Sequence, residues 1–224
     1  MNPSPDFSAP GAFLAALSRA ESRRRRANTT ASAPARRRPP GCLEMSLTPR
    51  RRHLAHKCRE LSGIDPALRE CLRGLCHGDA PWPLYLWGPA GVGKTCASLV
   101  ALDYALAGLY WTVQTLAEDA VLAGKGQLEY RSGRPVSSRA LWAEAEQTGL
   151  VVLDELGQRA RASDWQYDCV KRLLDAREGL PLIAASNMDL SQVAQCYDDR
   201  VASRLAAGTV FHLGGEDRRL ARPK

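Results

Sequence analysis

The sequence predicts an α/β domain, a parallel five-stranded sheet flanked by helices, preceded by a disordered basic arm. Three observations carry this expectation. From residue 60 onward, short apolar runs alternate with longer segments of helical period, the pattern of a sheet covered by helices on both faces. The first run, Leu84–Trp87, leads straight into Gly88-Pro-Ala-Gly-Val-Gly-Lys-Thr95, a complete Gly-x-x-x-x-Gly-Lys-Ser/Thr loop. A later run, Leu150–Leu153, is apolar throughout and ends in two acids, Asp154 and Glu155, as expected of a strand buried on both faces.

The arm differs from the rest in charge and composition. The chain of 224 residues is 45% apolar and 25% charged, with a net charge of +7. Residues 1–60 hold 13 Lys/Arg against 4 Asp/Glu, whereas the remainder holds 18 against 20. The excess lies in Arg23–Arg26, Arg36–Arg38 and Arg50–Arg52, and 7 of the 14 prolines fall within the first 49 residues. Such a segment buries too little apolar area to offset its ordering entropy, so residues 1–59 are predicted to be disordered. Only Phe13, Leu14 and Leu17 hint at a short helix. The basic residues follow the brief apolar stretch, which excludes a secretory signal. Nucleic-acid contact, a solubilising tail and an organelle transit peptide remain open for the arm.

The elements of residues 60–219 follow in order. After the strand Leu84–Trp87 and its loop, Lys94–Ala107 is apolar almost all round, the mark of a buried helix. A second strand is expected at Leu109–Val113 and a helix at Ser138–Gln147. The third strand is Leu150–Leu153. Asp164 caps a helix to about Arg177, whose Trp165, Cys169, Val170 and Leu173 share one face. A fourth strand at Pro181–Ala185, a helix at Asp198–Leu205 and a fifth strand at Thr209–Leu213 complete the unit, with a short tail at 220–224. The longest greasy stretch, Ala97 to Val113, is broken by Asp103, so no membrane-spanning helix is expected. Seven scattered cysteines without a Cys-x-x-Cys fit reduced thiols in the cytoplasm. His53, His56, Cys58, Cys71, Cys76 and His77 match no standard zinc spacing, and the tryptophans and Cys96 are expected to pack in the core.

The loop has a physical logic. Glycines 88, 91 and 93 let backbone N–H groups turn toward phosphate oxygens, and the helix that follows adds its positive end. Gly88, Pro89, Ala90, Gly91, Val92, Gly93, Lys94, Thr95 and Cys96 are therefore predicted to line a nucleotide. Lys94 reaches the β- and γ-phosphates, and the Thr95 hydroxyl ligates Mg²⁺. Asp154 would hold the same Mg²⁺ through water, and Glu155 would polarise an attacking water. The paired acid favours hydrolysis over phosphate transfer to a metabolite, although two acids at a strand end can also cap a loop. Asn187, ending the run Ile183–Ser186, could orient that water by its amide; Ser-Asn is equally ordinary turn chemistry.

The order of Gly88–Thr95, Leu150–Gly157, Ile183–Asn187 and Asp199–Leu205 resembles the DnaC/IstB-like branch of AAA+ ATPases. These are bacterial and phage helicase loaders and transposition helpers, related to the initiator DnaA. The resemblance covers about residues 80–219 and not the first 60. It implies that Asp199–Leu205 carries an arginine finger completing a neighbour's ATP site. Arg204 is the first choice and Arg200 the second; four residues apart, they share one helix face. Ordinary surface ion pairs are the alternative. It also implies a sensor role for Asn187, a core without a C-terminal helical lid, and single-stranded DNA bound along an assembled spiral. Lys125, Tyr130, Arg131 and Arg134 are the candidate DNA contacts, three cations beside one aromatic, in what is otherwise an exposed helix and loop.

The expectation is an ATPase using ATP and Mg²⁺, assembling as an ATP-dependent homo-oligomer and delivering a replicative helicase to single- or double-stranded DNA. A transposase is the alternative partner, and a nucleotide-binding adaptor without significant hydrolysis the alternative mechanism. A small-molecule kinase ranks last, since the expected phosphate-binding arginines after the fourth strand reduce to Arg200 and Arg204.

Overall fold

The computed structural model describes residues 64–103, 105, 108–130, 133–158 and 161–217. The basic arm, the tail and Arg131 lie outside the described residues.

Five strands, β1 (Leu84–Trp87), β2 (Gly108–Thr112), β3 (Leu150–Leu156), β4 (Leu182–Ser186) and β5 (Thr209–His212), form one sheet in the order β2-β3-β4-β1-β5. All four pairings are parallel. The helices are α1 (Pro66–His77), α2 (Lys94–Asp103), α3 (Val113–Gly124), α4 (Ser138–Gln147), α5 (Asp164–Ala176), α6 (Leu190–Cys196) and α7 (Asp199–Ala206). The predicted fold class is the observed one. After β5 the described residues form no further helix, and none of their helices is long and apolar enough to cross a membrane.

Alternation along the strands builds two cores. Leu84, Leu86, Tyr110, Leu150, Val152 and Ile183 face α1 and α2. Tyr85, Leu109, Trp111, Val151, Leu153 and Ala184 face the layer of α3 to α7. A strand buried on both faces carries apolar residues at every position, which is why these runs were visible in the sequence.

Three helices escaped the sequence expectation. In α1, Asp65 accepts from the Ala67 and Leu68 N–H groups, Pro66 occupies the first turn, and Gly78 closes the helix at φ 80°. In α3, Thr112 and Thr115 cap one another reciprocally, so β2 passes directly into helix and Val113, expected to end the strand, begins the helix instead. In α6, Asp189 and Gln192 form the same reciprocal cap. The cap of α5 is Ser163, not Asp164. Helix α2 stops at Asp103, and β3 extends to Leu156.

Other expectations are corrected by burial. Trp82, Trp111 and Trp142 are buried, but Trp165 is 48% exposed; it lies across α3, with its indole N–H on the Ala117 carbonyl at 3.0 Å. Cys96 is only partly buried. Cys71, Cys76, Cys169 and Cys196 are free thiols, and Cys42 and Cys58 lie outside the described residues.

At the sheet end opposite the glycine-rich loop, the fully buried Arg177 ties two connections together. Its guanidinium donates to the carbonyls of Glu146 (3.1 Å), Thr148 (2.8 Å) and Pro181, joining the entry into β3 to the entry into β4.

Candidate nucleotide site

The loop between β1 and α2 sits at the carboxyl ends of the central strands. Gly88 donates its N–H to the Ser186 carbonyl of β4 at 3.3 Å. A Cβ at Gly88 would fall 2.1 Å from the Leu213 carbonyl oxygen, so no larger residue fits this crossing. Gly91 has φ 81°, and the Asp217 carboxylate occupies the place of its missing Cβ, 1.8 Å from the ideal position. Pro89 and Ala90 are exposed and Val92 is buried. Lys94, 8% exposed, donates from Nζ to the carbonyls of Gly88 and Pro89, both at 2.7 Å. A cation so far removed from water needs such acceptors.

Thr95, one residue on, donates its hydroxyl to Asp154 Oδ2 at 2.7 Å. These groups lie 59 positions apart in the sequence, and β4 separates their strands. Asp154 is 3% exposed and accepts two further bonds, from the Tyr110 hydroxyl to Oδ2 (2.7 Å) and from the Glu155 N–H to Oδ1 (2.8 Å). Three donors stabilise the charged form of a buried carboxylate. A hydroxyl and a carboxylate at this separation form an oxygen donor set suited to a hard cation such as Mg²⁺.

Glu155 has φ 63°, in the left-handed region that non-glycine residues rarely adopt. The β3–β4 register shifts between Leu153 and Leu156. This irregularity frees Glu155 from strict strand alternation, and it borders a cleft with Gln114, Gln166 and Tyr197. Strain held at such a position points to function.

Asn187 is exposed on a turn anchored at several points. Ser186 Oγ donates to the Leu156 carbonyl at 2.6 Å and accepts from the Met188 N–H at 2.9 Å. Tyr85 donates to the Met188 carbonyl at 2.6 Å, and burial pushes this phenol up to about 12. Asn187 therefore stands between the first glycine of the loop and the residues following Glu155.

The remaining predicted residues lie apart from this centre. On α7, Arg200 is exposed, whereas Arg204 is ion-paired with Asp175 of α5. Tyr167 of α5 donates to Asp198, the cap of α7, at 2.8 Å, so α5 holds the arginine-bearing helix near both ends. Lys125 and Arg134 are exposed. Tyr130 turns inward against the core, its hydroxyl on Glu144 at 3.1 Å. It anchors a tight loop, in which its N–H meets the Arg134 carbonyl at 2.8 Å, and does not stand free as a stacking platform. Tyr110, Asp175 and Asp217 had no role in the sequence expectation. Only Tyr110 left a signal there, a hydroxyl inside an apolar run that must find a partner when buried.

The fold is of the DnaC-like AAA+ type. Among similar solved structures, DnaI is 21% identical with a TM-score of 0.56, covering 75% of this chain and 93% of DnaI. The DnaC helicase loader is 16% identical at a TM-score of 0.52, covering 67% and 92%. AMPPCP-bound DnaA from Aquifex aeolicus is 16% identical at 0.56, covering 70% of this chain. The chain spans about half the length of the DnaA structure, 50%. No family model matches the chain, and no curated protein sequence matches it.

Proposed function

We propose that residues 60–219 bind ATP with Mg²⁺ and hydrolyse it, and that the bound nucleotide drives assembly of copies that deliver a replicative helicase to DNA. The observation that carries this is the Thr95–Asp154 contact at 2.7 Å, with the left-handed Glu155 beside it. A phosphate loop and a metal-organising acid converge there next to a general-base candidate. Helicase loading is supported by the fold shared with the DnaC helicase loader; nucleotide binding is supported by the AMPPCP-bound DnaA of the same fold.

In this reading the loop N–H groups and the α2 N-terminus hold the phosphates, and Lys94 exchanges its two carbonyl partners for phosphate oxygens. Mg²⁺, held by Thr95 and through water by Asp154, would neutralise charge on those oxygens. Asn187 orients the lytic water and Glu155 accepts its proton. Arg204, with Arg200 beside it, leaves Asp175 to reach the nucleotide of a neighbouring copy. Lys125, Arg131 and Arg134 contact DNA phosphates, while Tyr130 secures the loop, and the arm of residues 1–59 adds sequence-independent attraction.

Replacing Glu155 by Gln is expected to lower ATP hydrolysis by about 100-fold or more while leaving ATP binding in place; Lys94→Ala should lose binding. Capture from host lysate with Glu155→Gln and ATP is expected to recover a hexameric helicase that Lys94→Ala does not. Recovery of a transposase would transfer the protein to transposition. Equal capture by both variants would refute the nucleotide switch. Equal hydrolysis by wild type and Glu155→Gln would refute the enzymatic role.

A further inference from the structure

The carboxylate that closes the metal side of the site has a partner from outside the loop. Tyr110 of β2 is 1% exposed, and its hydroxyl donates to Asp154 Oδ2 at 2.7 Å. Sheet register makes this contact. Tyr110 pairs with Val152, and Thr112 with Asp154, so Tyr110 and Asp154 are diagonal neighbours on adjacent strands. Both project toward the α2 face, since Tyr110 and Val152 belong to that core and Asp154 follows Val152 by two. Diagonal neighbours lie roughly 7 Å apart at the backbone, within reach of a long aromatic side chain.

Asp154 Oδ2 thus accepts from Thr95 and from Tyr110. Of these two bonds to Oδ2, the one from Tyr110 comes from a side chain that binds neither phosphate nor metal in the proposed site, and the Glu155 N–H holds Oδ1. Together with the Glu155 N–H on Oδ1, the Tyr110 hydroxyl fixes the rotation of the carboxylate about its side-chain axis and offsets the cost of a buried negative charge. We infer that Tyr110 is a positioning residue that orients Asp154 for a divalent cation and thereby sets the Mg²⁺ dependence of nucleotide binding. This rests on the proposed nucleotide·Mg²⁺ site.

The test uses Tyr110→Phe, which keeps the ring and removes only the hydroxyl. Binding of a fluorescent ADP is titrated in EDTA and across a MgCl₂ series, with thermal unfolding followed on the same samples. Loss of one such outer partner should raise the Mg²⁺ concentration at half-effect by about tenfold, while affinity in EDTA changes less than about twofold. In an Asp154→Asn background, Tyr110→Phe should move the Mg²⁺ midpoint by less than about twofold, because interacting residues are not additive. An unchanged Mg²⁺ midpoint in Tyr110→Phe overturns the inference. So does a parallel loss of affinity in EDTA, or an equal shift in the Asp154→Asn background. If wild type binds the nucleotide no better than Lys94→Ala, the nucleotide site itself is wrong and the inference falls with it.

Discussion

Replacing Arg177 by Met probes what holds the strand entries behind the site. The side chain is 1% exposed and donates at short range to the carbonyls of Glu146, Thr148 and Pro181, with longer contacts to Ala145 and Gly149 at 3.4 Å. Methionine fills much of the stem volume and donates nothing. The buried carbonyl of Thr148 and the part-buried one of Glu146 lose this donor, while that of Pro181 keeps the Val151 N–H; at roughly 1–1.5 kcal/mol each, the two cost about 2–3 kcal/mol. Release from burying a cation recovers part of that, so about 2 kcal/mol is the expected net loss. For a domain of this size that lowers the melting temperature by about 4–8 °C. Urea denaturation at pH 7 measures it directly. Arg177→Lys should fall between, because one ammonium cannot span both connections. Nucleotide affinity should not change, since Arg177 lies at the strand ends opposite the loop. A loss below about 1 kcal/mol would mean that water satisfies these carbonyls and that the clamp is dispensable.

Three further outcomes are expected. At position 155, Gly should give a more stable protein than Ala by about 1 kcal/mol in denaturant titrations, because the φ of 63° costs any residue with a Cβ; the usual strand order, Ala above Gly, would show that the strain is illusory. Asp175→Asn removes the exposed partner of Arg204 and should raise ATP-dependent self-association by about two- to fivefold, measured by sedimentation; weaker association would mean that the pair positions the finger instead of parking it. Burial holds the Cys76 thiol at about 12 and Cys169 at about 11, against an ordinary 9.0, and Tyr85 at about 12 against 10.0. The folded state keeps these protons when the unfolded chain releases them, so their stabilising contribution is whole below about pH 9 and is lost toward pH 12. Urea midpoints constant from pH 8 to 11 would contradict this.

Sequence by itself determined the elements whose signals are local. Strand β1 and helix α4 have the expected bounds, one closed by the glycine of the loop and the other opened by the Ser137 cap. The glycine-rich turn from β1 into α2 and the Asp154–Glu155 pair ending a buried run were legible because a tight strand-to-helix turn and strand burial each impose a residue pattern within a few positions. Helices α1, α3 and α6 carried readable caps at Asp65, Thr112 and Asp189. The strongly β-forming Trp111-Thr112-Val113 and the shortness of α6 outweighed those signals. Tertiary structure alone decided the strand order, with β4 between the loop strand and the acidic strand, because an apolar run does not specify its neighbours. From that order and its register follow the contacts of Asp154 with Thr95 and Tyr110 and the placement of Asn187 beside the loop. Packing of α5 against α7 decided that Arg204 meets Asp175. Such partners, 29 to 59 residues apart in these cases, are selected by sheet geometry and helix packing, which no local spacing encodes.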